Sequence, residues 1–92
     1  MDIGNAVKTL RKVKGITQRE LAQKCDISVN ALCQIEKNVT FPHKNTIQKL
    51  CDVLQIPTSY LLFFSISEED IPEEKRGLFK SLTPTIKAIL LE

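Results

Sequence analysis

The stretch TQRELAQKCDISVNALCQIEKN, residues 17–38, constrains the fold more than any other part of the chain. Thr17 with Glu20 three positions on reads as a capping box, and Leu21, Ala22 and Cys25 fall on one helical face. Ser28 reads as the next N-cap, and Leu32 with Ile35 marks the apolar edge of a helix that ends near Asn38. Only about three residues are left to turn between the two helices. Helices joined so tightly must pack directly on each other, and Ala22 is the small residue at which their backbones approach.

Further helices are legible on either side. Ile3, Val7 and Leu10 recur at helical spacing and Gly15 supplies a stop; Ile47, Leu50, Cys51 and Leu54 define a fourth helix over residues 45–54. Pro57, at a first-turn position, opens a short fifth helix, PTSYLLFF. Strand patterns are almost absent. A chain of 92 residues can bury one modest core, so residues 1–66 are expected to form a domain and residues 67–92 a helical appendage. Within the appendage Ser67 and Pro72 favour a helix start, Gly77 weakens the middle, and Thr83-Pro84 reads as the cap and first turn of a separate last helix.

Composition narrows the chemistry. Residues 1–64 carry nine Lys/Arg against five Asp/Glu, whereas residues 65–92 carry four against six, so the basic part is the one suited to a polyanion. Cys25, Cys33 and Cys51 lack metal or redox spacing and read as apolar thiols of a reducing compartment. The single histidine, His43, has no partners at metal spacing. With no Gly-rich loop and no paired nucleophile and base, an enzyme is not expected, nor a metal or cofactor. No run of 18 apolar residues occurs, and the amino-terminal segment MDIGNAVKTLRK lacks the apolar centre of a secretory signal, so the expected location is cytoplasmic, away from membranes.

Residues 3–64 resemble the helix-turn-helix domain of the phage-repressor-like family of transcription regulators, also called XRE or lambda-repressor-like. The likeness runs through I-x-x-x-V-x-x-L-R, G-I-T-Q-x-E-L-A, I-S-x-x-x-L-x-x-I-E, the proline before helix four, and L-x-x-L-x-I-P-x-x-Y-L-L, in one order and without a gap. It implies an all-α, five-helix fold whose third helix enters the DNA major groove while the second crosses above it. Asp26, Asn38 and Gln55 stand where the family often has glycine. Aspartate and asparagine tolerate a left-handed backbone, and glutamine is the least comfortable of the three.

Val29, Asn30, Cys33 and Gln34 fall opposite or beside Leu32 and Ile35. On a generic helix they would simply be solvated; within this motif they become expected base contacts, with Asn30 able to pair bidentately with adenine and Val29 to meet a thymine methyl. The resemblance makes Gln18 a phosphate contact, joined by Ser28, Arg19, Lys37, His43 and Lys44 by position. It makes Arg11 and Glu36 a structural ion pair between helix one and the end of helix three.

Beyond residue 66 the resemblance ends. Apolar residues in helix five (Tyr60, Leu61, Phe63, Phe64) and in the last helix (Ile86, Ile89, Leu90) are the expected dimer interface; packing of the appendage on its own core is the alternative. The expected function is a sequence-specific double-stranded-DNA-binding regulator, a repressor acting as a homodimer on an inverted repeat. The alternatives are an antitoxin-like or anti-repressor module whose main partner is a protein, and a restriction-modification control protein.

Overall fold

In the computed structural model, which describes residues 1–91, Asp2 caps α1 (Ile3–Val13) by accepting the Asn5 amide, and the helix buries Ile3, Val7 and Leu10 along one stripe. α2 (Gln18–Lys24) opens on the Thr17/Glu20 capping box and buries Leu21 and Ala22, with Cys25 closing the same face. α3 (Val29–Glu36) is capped by the Ser28 hydroxyl, which accepts the Ala31 amide at 3.0 Å. α4 (Lys44–Leu54) adds Leu50, Cys51 and Leu54 to the core, and α5 (Thr58–Ser65) adds Leu61 and Phe64. Pro57 is the N-cap of α5, one position before the first turn. Burial pushes the Cys25 and Cys51 thiols up from their ordinary pKa, so both are packed, inert groups.

Four of these helices stop in the same way. Gly15, Asp26, Asn38 and Gln55 each take a left-handed backbone, with φ of 69°, 57°, 61° and 57°. After each, the next residue's amide reaches back to a carbonyl of the last turn: Ile16 to Arg11, Ile27 to Ala22, Val39 to Gln34 and Ile56 to Cys51. These Schellman-type closures satisfy carbonyls that a helix end leaves orphaned. Three of the following residues, Ile16, Ile27 and Ile56, then pack against the core. In the α2–α3 turn this answers the absence of glycine: Asp26 accepts the conformation, and Ile27 locks it from beneath.

The appendage departs from expectation in one respect. Two short 3₁₀ turns, Glu68–Asp70 and Glu73–Lys75, lead into a single α6 (Arg76–Leu91), and Pro84 lies inside it instead of opening a second helix. The proline removes the amide that would pair with the Lys80 carbonyl. Lys80 is exposed, so water can take that carbonyl. No residue of α6 is fully buried; Leu90 and Leu91 lean on the domain core, and the Lys87 ammonium lies 5.3 Å from the centre of the Phe64 ring. No helix among the described residues is long and apolar enough to cross a membrane.

Candidate nucleic-acid interface

α3 is amphipathic by placement, with Leu32, Ile35 and Glu36 buried on one side. Val29 and Asn30 are exposed in its first turn, and Cys33 half-buried one turn on, so these three form an outward stripe. With its side chains such a helix is about 10 to 12 Å across, which a groove about 12 Å wide admits. Gln34 is less free than its neighbours. It is half-buried and lines a small, mostly apolar groove with Phe41, Pro42 and His43 between α3 and the start of α4.

The angle of α3 is set by a polar network beneath it. Arg11 of α1 donates to both Glu36 carboxylate oxygens, at 2.8 Å and 3.2 Å, and to the Ile16 carbonyl at 3.0 Å. Gln18 of α2 donates its amide to the same carboxylate at 3.0 Å. Three helices therefore meet at one buried carboxylate with bidentate geometry, which fixes orientation as well as distance. Among the described residues every buried side-chain nitrogen and oxygen has a partner. The ion pair expected from the sequence is present; the link from Gln18 to it was not foreseen, and it commits one of the Gln18 amide hydrogens internally.

Of the expected phosphate contacts, Arg19, Ser28, Lys37, His43 and Lys44 are exposed. The Ser28 oxygen is occupied as a cap acceptor, which leaves its O–H free to donate. His43 sits at the N-cap position of α4 without a side-chain capping bond. Two residues that sequence reasoning passed over stand in the loop after α3: Val39 is 69% exposed and Phe41 62% exposed. Val39 occupies the position that is tucked inward after the other three left-handed turns, so nothing in its sequence signals its exposure.

The expected dimer surface needs correction. Leu61 is fully buried and Phe64 only 7% exposed, both in the core of their own chain, because positions 61, 64 and 65 form the α5 stripe that packs on the domain. Phe63 and Leu90 are partly buried against the same core, and Tyr60 is half-buried. Ile86 and Ile89 are exposed as expected, and Leu78 and Leu82, at 65% and 50% exposed, continue the same face. Phe63, Ile71, Leu78, Leu82 and Ile86 border an open apolar groove of about 240 Å³.

A family model described as Helix-turn-helix matches residues 7–61. The chain is 36% identical over 62 residues to the HTH-type transcriptional regulator ImmR of Bacillus subtilis (strain 168), covering 67% of this chain and 49% of that protein. It is 28% identical over 81 residues to the immunity repressor protein of Bacillus phage phi105, covering 88% of this chain and 54% of the repressor. It is 38% identical over 58 residues to YazB of Bacillus subtilis, described as an uncharacterized HTH-type transcriptional regulator, covering 63% of this chain and 84% of the other. The chain thus spans about half the length of the first two relatives.

Proposed function

Since the chain belongs to the helix-turn-helix family, of the lambda-repressor-like (XRE) type, we propose that it is a DNA-binding transcription regulator, a repressor that acts as a homodimer on an inverted-repeat site. The observation that carries this reading is the outward stripe of α3, with Val29 and Asn30 leading, held by the Arg11–Glu36–Gln18 network at one angle to α1 and α2. Asn30 takes the adenine edge through two hydrogen bonds, Val29 meets a thymine methyl, and Cys33 adds apolar contact. Arg19, Lys37 and Lys44, with the Ser28 hydroxyl and the second Gln18 amide hydrogen, take phosphates and set the register. The immunity repressor among the relatives supports repression as the outcome, and the family role supports regulation over catalysis.

Selection of bound sites from a random duplex library tests the proposal, with an enriched inverted repeat as the expected result. On the enriched site Asn30→Ala should lose roughly 1 to 3 kcal/mol of binding and relax preference at one base pair, with folding unchanged. Absence of any enriched sequence would sink the regulator reading in favour of a module whose partner is a protein.

A further inference from the structure

We infer that Asn38 and Asp2 form a latch that holds the carboxyl end of α3 against the amino end of α1, making both positioning residues for the recognition helix. The Asn38 side chain bridges two elements: its oxygen accepts the Gly4 amide at 2.9 Å, and its nitrogen donates to the Asp2 carboxylate at 2.6 Å. The same Asp2 oxygen accepts the Asn5 amide at 3.0 Å. One asparagine and one aspartate thereby satisfy two of the first-turn amides that α1 would otherwise leave orphaned, and join them to the residue that terminates α3.

The approach is close enough to exclude a side chain. A Cβ built on Gly4 would lie 2.5 Å from the Ile35 carbonyl oxygen and 2.7 Å from both the Glu36 carbonyl oxygen and the Asn38 side-chain oxygen, all at the end of α3. Asp2 is itself fixed, since its amide donates to the Ser65 carbonyl at the end of α5, at 2.7 Å. Donation from Asn38 first, and from the Asn5 amide second, holds the Asp2 carboxyl below its ordinary pKa, in keeping with a carboxylate used as an acceptor. The buried Arg11–Glu36 pair pins α3 from α1's later turns, and the latch pins it from α1's first turn. Two attachments fix an angle that one would leave free to swing.

A left-handed backbone alone would account for asparagine at position 38, and glycine would then serve better. The hydrogen bonds to Asp2 and Gly4 have no counterpart in glycine, so substitution separates the two roles. In Asn38→Gly the backbone is unstrained, and amide exchange followed by NMR should show the Gly4 amide opening about tenfold faster while Val7 and Leu10 keep their protection. The consequence for DNA rests on the function proposed above. Asn38→Asp sets a second carboxylate against Asp2 and should lower affinity for the library-selected duplex about tenfold. In the reciprocal exchange, Asp2→Asn with Asn38→Asp, donor and acceptor are reversed and the carboxylate repulsion is gone. The one atom of residue 2 that faces both position 38 and the Asn5 amide can then donate to the new carboxylate only by giving up the Asn5 bond, so binding should recover in part.

A Gly4 amide equally protected in Asn38→Gly overturns the latch, as does an exchange variant that folds but binds no better than Asn38→Asp. If the unsubstituted chain selects no duplex, the DNA-binding reading falls and the Gly4 amide alone decides the latch. Should Asn38→Asp fail to fold, the refolded exchange variant and Asn38→Gly still give the decision.

Discussion

Left-handed residues show how far single positions can be read. Asp26, Asn38 and Gln55 were legible as glycine substitutes because helix-terminating positions demand φ above zero whatever residue stands there, and all three adopt it. Their side chains differ in consequence, which no spacing rule conveys. Asn38 gains partners in Asp2 and Gly4, whereas among the described residues the Gln55 side chain has no hydrogen-bond partner to accompany its strained backbone, and the residue is exposed. Gln55→Gly should therefore raise stability by about 1 kcal/mol in urea unfolding, by relief of left-handed strain. The same change at position 38 should destabilise, because lost hydrogen bonds outweigh the relieved strain. Equal responses at the two positions would mean that backbone conformation alone governs both. Gln18 illustrates the other limit: its place at the helix start was readable, but its bond to Glu36 depends on three helices converging, which is tertiary information.

Helices with a clear polar face were readable to within a residue or two, and those without one were not. α5 carries Tyr60, Leu61, Leu62, Phe63 and Phe64 in succession, so its pattern points in no direction, and only contact with the rest of the domain decides that Leu61 and Phe64 go inward while Leu62 stays exposed. Thr83-Pro84 failed for a different reason. As a local sequence it is a good cap and first turn, but the helix arriving from Arg76 continues through it, aided by exposure on the proline side. Thr83 donates its hydroxyl to the Phe79 carbonyl, a bond available only within a helix already formed. Pro84→Ala should return the missing bond and stabilise α6 by about 1 to 3 kcal/mol, seen as slowed amide exchange over residues 81–91. Unchanged exchange there would mean that α6 is held by its contacts with the domain and not by its own hydrogen bonds.

At the level of the whole molecule, the proposed homodimer would have to hold its two recognition helices about 34 Å apart to read successive half-sites from one side of the duplex. A two-fold contact requires one patch that complements itself. The α6 face supplies such a pattern: Leu78, Leu82 and Ile86 are evenly spaced, so an antiparallel pairing centred on Leu82 sets Leu78 against Ile86 of the partner subunit. Deleting the appendage is a poor test of this interface, because Leu90, Leu91 and Lys87 lean on the domain core and their removal would uncover Phe64. Leu82→Glu leaves those contacts in place and sets two carboxylates against each other at the axis. Light scattering should then report a monomer with unchanged helix content. Binding to a full inverted repeat should fall toward that of a half-site, because the energetic link between half-sites depends on the dimer. A Leu82→Glu chain that remains dimeric would move the interface off α6, to the exposed Leu62 side of α5 or to the apolar loop bearing Val39 and Phe41.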